Sequence, residues 1–136
     1  MIAEKSGTIT HAQILTLSST NALQLVAAPG SGRMMEVVSA VFFFVYTAAY
    51  VGGDTIYVAI GPTGGSATEP LDTTFLQGTA DMVGFSPGKW NSNVWDYATY
   101  INQGLYLRNT GVAYTGGNAA NVVRYRLTYR IWTPNL

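Results

Sequence analysis

The residues that could do acid–base or metal chemistry are few and scattered. A general base needs a positioned partner and a pocket, and His11, the one histidine, lies in a polar N-terminal stretch that offers neither. The aspartates Asp54, Asp72, Asp81 and Asp96 show no Asp-x-Asp spacing, and the first two sit where turns are expected. A calcium ion held by loop oxygens stays open, but no motif supports it.

Two further motifs are incomplete. The glycine-rich residues 61–66, GPTGGS, lack the lysine of a phosphate-binding loop, and no clear helix follows them, so a flexible connection is the better interpretation. No serine lies in a Gly-x-Ser-x-Gly frame, and the chain has no cysteine. We therefore expect a protein that is not an enzyme and has no catalytic residues, no bound metal and no cofactor.

Three arginines form the one charged group with regular spacing. Arg124 and Arg126 are two residues apart and share a face of a strand, and Arg130 follows two pairs further along. One interpretation is a solvated sheet face or pairing with cross-strand carboxylates. The other is a subunit interface at which arginines bind a neighbour's carboxylates in bidentate fashion.

Aromatic residues are concentrated between residues 90 and 100. Trp90, Trp95 and Tyr97, with Tyr100, could form a loop cluster that stacks on a sugar or contacts a partner protein. Packing in a core or an interface is the commoner fate of large aromatic side chains. The first three are the candidate ligand or partner surface.

The longest uncharged apolar stretch is residues 37–51, VVSAVFFFVYTAAYV. It is shorter than the roughly 20 residues of a membrane helix and is rich in Val, Phe and Tyr, which favours a strand. Both alternating sets of side chains are apolar, so one face should enter a core and the other should be covered by a second layer or a subunit. We predict a subunit interface that includes Phe42, Phe44 and Tyr46.

The amino-acid composition indicates that part of the protein surface is covered by partner subunits. The 136 residues suit one domain, 48% are hydrophobic, and 10% are charged, against about 25% in an average soluble domain. So little charge is unusual for a free monomer and predicts a homo-oligomer. The seven basic and seven acidic residues cancel, which argues against nucleic acid and anionic membranes as partners. Residues 1–15 lack the apolar core of a signal peptide.

The chain in order predicts an all-β protein. Residues 1–12 are expected to form a flexible N-terminal arm, and residues 13–136 a single antiparallel β-sandwich of jelly-roll type. Residues 71–88 give weak signals, for one short helix or an irregular loop. The predicted strands are residues 13–18, 23–27, 37–51, 55–60, 90–101, 105–109 and 121–132.

Two segments resemble each other, namely residues 49–54, AYVGGD, and residues 113–118, AYTGGN. Each precedes a strong strand. The simple explanation is independent use of the same turn chemistry, and the alternative is a two-fold Greek-key arrangement.

The order of turns and strands resembles that of small virion structural proteins of tailed bacteriophages. The segments that carry this resemblance are residues 28–33, 36–46, 50–54, 55–60, 105–109 and the Arg/Tyr strand ending at Trp132. The resemblance implies a decoration (cement) protein of the capsid surface, made in the host cytoplasm, that binds the major capsid protein. We expect a trimer. The alternative is a carbohydrate-binding or adaptor module of a phage tail, neck or fibre, using Trp90, Trp95 and Tyr97.

Overall fold

The computed structural model describes residues 2–63, 67–88 and 96–134. In these ranges the strands are β1 (Ile2–Thr10), β2 (Leu23–Val26), β3 (Met34–Val45), β4 (Tyr50–Gly52), β5 (Ile56–Ile60), β6 (Met82–Pro87), β7 (Leu105–Asn109), β8 (Tyr114–Gly116) and β9 (Val122–Trp132). The helices are α1 (His11–Thr16), α2 (Thr74–Gln77) and α3 (Tyr97–Tyr100).

The strands form an antiparallel β-sandwich, which confirms the predicted all-β class. Sheet 1 has the order β1-β9-β3-β6, sheet 2 has the order β2-β7-β5, and β4 pairs with β8 in a two-stranded ribbon. Passing along β1, β2, β3, β5, β6, β7 and β9, each connection leads from one sheet to the other. This alternation is compatible with a jelly roll, which stays a prediction. Apolar side chains of both sheets and the ribbon form one core.

Strand β3 changes its buried face part of the way along. Met35 and Val37 are buried, and beyond them the buried positions are Ala40, Phe42 and Phe44. The change follows from a bulge, because the pairing of β3 with β9 shifts by one residue between Val37 and Ser39. The strand ends at Val45. The prediction of one continuous strand over residues 37–51 is therefore wrong, since the chain turns before β4 begins.

The N-terminal residues belong to the sandwich. β1 pairs with β9 along its whole length, from Ile2 opposite Arg130 to Thr10 opposite Val122. Of the flexible arm predicted over residues 1–12, the described residues 2–12 are therefore corrected to an edge strand followed by the start of α1. The strand predicted over residues 13–18 is also wrong in its first part. Thr10 and Gln13 form a capping box, in which each side chain accepts a hydrogen bond from the other's backbone N–H, and this begins α1.

Two other weakly patterned regions differ from expectation. For residues 71–88 the sequence predicts one short helix or an irregular loop, and the structure has both the short helix α2 and the unpredicted strand β6. In the predicted strand over residues 90–101, residues 97–100 form α3, capped by Asp96, whose side chain accepts a hydrogen bond from the Ala98 N–H. Residues 90–95 of that prediction lie outside the described residues.

Candidate interaction surface on sheet 1

The side of sheet 1 that points away from the core carries an apolar patch next to arginines. We call this side the outer face. Cross-strand pairing places Phe43 beside Val83 and Val41 beside Phe85. Phe43 is 44% exposed, Val83 49% and Phe85 74%, and Val45 continues the patch along β3. Exposed apolar side chains that adjoin one another in this way mark interaction sites more often than isolated ones do.

Strand β6 directs its large apolar side chains outward and its small residues inward, the reverse of the usual pattern in an edge strand. Its inward positions are the small Gly84 and Ser86, and its outward positions are the large Val83 and Phe85. The inward side has no room for larger groups, because a Cβ atom on Gly84 would lie 2.8 Å from the methyl groups of Leu71. The Ser86 hydroxyl donates to the Glu69 carbonyl. An exposed apolar edge strand is an aggregation risk unless something covers it.

Arg124 and Arg126 flank this patch on β9. In the ladder Arg124 lies between Thr8 and Phe43, and Arg126 between Ser6 and Val41. Both arginines are exposed, and no carboxylate lies directly opposite either of them on the neighbouring strands. A directly opposite carboxylate, as in the interpretation of cross-strand pairing, is therefore present for Arg130, which lies opposite Glu36, and not for Arg124 or Arg126.

Between these arginines and β3 the outer face forms an open depression of about 590 Å³. Its lining combines the Arg124 and Arg126 side chains with Val41, Phe43 and Val45. Arginine stems are apolar and their guanidinium groups are charged, so such a surface can bury hydrocarbon and bind carboxylates at the same contact.

The third predicted arginine lies apart from the other two. Arg130 is half-buried and sits between Ile2 and Glu36 in the ladder. The carboxylate Oε2 of Glu36 accepts a hydrogen bond of 2.8 Å from the indole N–H of Trp132. Arg130 is therefore at the far end of the sheet and is not part of the apolar depression.

The predicted subunit interface is corrected at Phe42 and Phe44. Phe42 and Phe44 are 0% and 1% exposed, because they point into the core, where both contact Phe75. Tyr46 is half-buried and packs edge-on against Phe44. Because their own chain covers Phe42 and Phe44, these two side chains cannot form a subunit interface, while the part of Tyr46 in an interface stays a prediction. The exposed apolar residues of this part of β3 are Phe43 and Val45, which alternate with Phe42 and Phe44 and lie on the other face of the strand.

The predicted aromatic ligand surface is described only at Tyr97. Its side chain is half-buried at the start of α3. Trp90 and Trp95 lie outside the described residues. The prediction of a sugar-binding cluster therefore stays a prediction.

The acidic residue Asp72 follows a segment that contacts both sheets, since the Glu69 N–H donates to the Pro87 carbonyl of β6 and the Leu71 N–H to the Ile56 carbonyl of β5. Asp72 is exposed and lines a small notch of about 180 Å³ together with Leu71, Phe75 and Val83. Its Oδ1 accepts a hydrogen bond of 2.9 Å from the Thr74 N–H. That hydrogen bond lowers the pKa of the Asp72 carboxyl, so the group is charged at neutral pH.

His11 has a structural role. His11 Nδ1 and the Tyr50 hydroxyl are 2.9 Å apart, and the two rings stack, which holds the start of α1 on the β4–β8 ribbon.

Over residues 2–63, 67–88 and 96–134, no three acidic or histidine side chains are grouped so as to hold a metal ion. Within the same ranges, no helix is long and apolar enough to cross a membrane.

Sequence reasoning found the two arginines of the outer face and missed its apolar partners. Val83 and Phe85 lie in residues 71–88, for which the sequence predicts one short helix or an irregular loop. A signal was present, because Val83-Gly84-Phe85-Ser86 alternates large and small residues with the period of a strand.

Comparison with known proteins identifies no family. No protein-family model and no curated protein matches the sequence. A solved structure to which the chain is similar is described as the cyanophage Pam1 capsid asymmetric unit, with 13% identity and a TM-score of 0.44, over 95% of this chain and 82% of that one. A likeness of this degree does not establish a shared fold or function.

Proposed function

We propose that this chain is a structural virion protein of a tailed bacteriophage, of the capsid decoration or cement type, and not an enzyme. The outer face of sheet 1 binds neighbouring subunits of the shell, among them the major capsid protein. The observation that carries the proposal is the reversed pattern of β6, which directs Val83 and Phe85 away from the core. The sequence resemblance to small virion proteins of tailed phages is the reason for proposing shell proteins as the partners.

The chemistry of the face suits repeated, individually weak contacts. Burying exposed apolar area stabilises a contact by about 25 cal/mol per Å² before the entropy of association is subtracted. Repetition over a shell then raises the overall avidity without any new contact. Arg124 and Arg126 add specificity for surfaces that present carboxylates at the edge of an apolar area.

The test is co-sedimentation of the purified chain with shells of the phage that encodes it. We expect binding that saturates at hundreds of copies per particle and that is at least tenfold weaker for Phe85→Lys. Val112→Lys is the matched control, because Val112 is 71% exposed but lies in the loop between β7 and β8. Binding of Phe85→Lys as tight as that of the unaltered chain, or a stoichiometry of a dozen copies or fewer, would overturn the proposal. No described residue specifically favours the carbohydrate-binding alternative.

A further inference from the structure

His11 is the one histidine of the chain and lies where β1 passes into α1. Its Nδ1 atom is 2.9 Å from the hydroxyl of Tyr50, a side chain that is 1% exposed. We infer that this contact is an acid-sensitive switch, which holds the N-terminal strand on the sandwich while His11 is neutral and releases it when His11 is protonated. The inference goes beyond the proposed function and does not depend on it.

The direction of the hydrogen bond between His11 and Tyr50 follows from a third group, Asn121. The Oδ1 atom of Asn121 accepts from the backbone N–H groups of Thr47 and Ala48, so its amide nitrogen is the atom that donates. The Asn121 side chain also forms a hydrogen bond with the Tyr50 hydroxyl. The Tyr50 oxygen therefore accepts from Asn121, and its own proton is donated to His11.

This arrangement requires a neutral imidazole at His11. A neutral imidazole has one nitrogen that donates and one that accepts, whereas an imidazolium has two donors. Because Nδ1 accepts the Tyr50 proton, the proton of the His11 ring belongs on Nε2. Protonation of Nδ1 would leave the buried Tyr50 hydroxyl without an acceptor, and a buried polar group without its partner is costly.

The charged groups near α1 do not compensate a positive charge on His11. Helix α1 contacts β1 and β8. The charged residues of β1, Glu4 and Lys5, precede His11 along an extended strand by roughly 20 Å. The titratable residue of β8 is Tyr114, whose hydroxyl donates to the Asp54 carbonyl, while the Asp54 carboxylate accepts from the next backbone N–H. In the described part of the chain, no carboxylate is hydrogen-bonded to His11.

Strand β1 is held mainly by its ladder with β9, since Ile9 is its one buried side chain. Thr10 both ends β1 and caps α1, so the contact between His11 and Tyr50 anchors the end of the strand. Ile14 of α1 is 1% exposed in the core, which confines the opening to β1 and the first turn of the helix. The open form leaves Nδ1 free to take a proton, and acid therefore favours it.

The experiment is hydrogen–deuterium exchange of the full chain at pH 7.5 and pH 5.0, with each rate divided by the intrinsic rate at that pH. Histidine is the side chain whose ordinary titration falls between these values, and this chain has one. At pH 5.0 we expect the protection of the Ile2–Thr10 amides to fall about tenfold, the effect of one lost hydrogen bond, while that of the Met34–Val45 amides changes less than about twofold. Equal protection of β1 at both pH values overturns the inference.

The variant His11→Asn separates protonation from hydrogen bonding. Asparagine carries its carbonyl oxygen on the same atom, Cγ, that carries Nδ1 in histidine, so it can accept from Tyr50 but cannot gain a charge. The variant should keep the protection of β1 at pH 7.5 and lose its dependence on pH. Ala12→Asn is the matched control, because Ala12 is the exposed next residue, and this variant should retain the pH dependence. A full loss of protection at pH 5.0 in His11→Asn would assign the effect to another group and overturn the inference.

Long-range proton–nitrogen NMR correlation of the one imidazole tests the hydrogen bond independently of stability. At pH 8 we expect the His11 ring to carry its proton on Nε2, with Nδ1 as the acceptor. Tyr50→Phe removes the donor, so the pH dependence of β1 protection should disappear in this variant as it does in His11→Asn. A proton on Nδ1 at pH 8 would contradict the direction of the hydrogen bond and with it the switch.

Discussion

Tyr50 and Tyr114 pack edge-on against each other in the β4–β8 ribbon, with ring centroids 6.0 Å apart and ring planes at 64°. Each occupies the same place in the similar segments AYVGGD and AYTGGN. A Cβ atom on Gly53 would lie 2.3 Å from the Tyr114 ring, and one on Gly117 would lie 2.5 Å from the Tyr50 ring. The two segments thus pair with each other, and each tyrosine covers the second glycine of the opposite segment.

This reciprocal contact predicts that Gly53 tolerates a side chain less well than Gly52 does. Both glycines have positive φ, +70° and +66°, but no other atom lies within 4 Å of a Cβ placed on Gly52. Gly52→Ala should lower the free energy of unfolding by about 1–2 kcal/mol, the cost of a left-handed backbone. Gly53→Ala should lose roughly 1–3 kcal/mol more, since the methyl group must displace Tyr114.

Urea unfolding of the two variants measures the difference directly. Gly117→Ala should behave like Gly53→Ala, because Tyr50 covers it in the same way. Equal stability of Gly52→Ala and Gly53→Ala would show that the ring of Tyr114 does not pack on Gly53.

Burial of Tyr114 predicts a loss of stability at high pH. Burial, and secondarily the charge of Asp54, raise the pKa of the Tyr114 hydroxyl well above its usual value of 10.0. The folded state therefore holds this proton when the unfolded state releases it. The contribution is constant below pH 10 and is lost as pH rises above it, by at most about 1.4 kcal/mol per pH unit for each such group.

Tyr114→Phe isolates this effect. The variant should lose about 1 kcal/mol at pH 7, because the hydroxyl donates to the Asp54 carbonyl. Its stability should then fall less steeply between pH 9 and pH 11, as read from urea midpoints. Tyr50 and Tyr125, whose pKa values burial also raises, keep part of the slope. A slope identical to that of the unaltered chain would contradict the assignment.

The boundaries of strands with clearly alternating side chains, bounded by turns, could be predicted closely from the sequence. The expected strands over residues 55–60, 105–109 and 121–132 correspond to β5, β7 and β9 within one residue. In these strands the pattern of side chains and the position of the turn agree, so local chemistry determines the boundaries. The two exposed arginines of the outer face were predicted for the same reason, because alternate side chains of β9 stay on the same face of the sheet along the whole strand.

Which of the two alternating sets of β3 side chains is buried could not be predicted from the sequence. Its apolar residues fall on both faces, and the bulge at Val37–Ser39 exchanges the faces part of the way along. Nothing in a uniformly apolar run indicates where such a shift occurs, because it depends on the partner strand. The result was a candidate interface on Phe42 and Phe44 where the exposed residue is Phe43. The start of α1, in contrast, could have been found from the Thr10-x-x-Gln13 capping box.

The pairing of β1 with β9 predicts protected amides at the N-terminus. In an antiparallel edge strand, every second N–H donates to the neighbouring strand. Hydrogen–deuterium exchange followed by mass spectrometry should therefore show about half of the amides of Ile2–Thr10 exchanging slowly. An arm would exchange all of them within seconds.

Removal of residues 2–10 supplies the complementary measurement. It takes away Ile9, which is 1% exposed, and uncovers an edge of β9 next to Val123 and Tyr125. The truncated chain should unfold at clearly lower urea concentration than the full chain. An unchanged midpoint, together with fast exchange over the same residues, would contradict the docked strand.

The last prediction concerns Asn121, a polar side chain buried at the turn after β3. Its Oδ1 accepts hydrogen bonds of 2.7 Å from the Thr47 N–H and 3.1 Å from the Ala48 N–H, and its Nδ2 donates to the Ala48 carbonyl. Asn121→Ala leaves these groups unsatisfied and should lower the free energy of unfolding by on the order of 3 kcal/mol. Asn118→Ala is the control, because the exposed Asn118 side chain accepts a hydrogen bond from the Ala120 N–H, and the loss of that bond should cost about 1 kcal/mol or less. Urea denaturation of both variants decides the matter: if they lost the same stability, Asn121 would not be what holds this turn against β9.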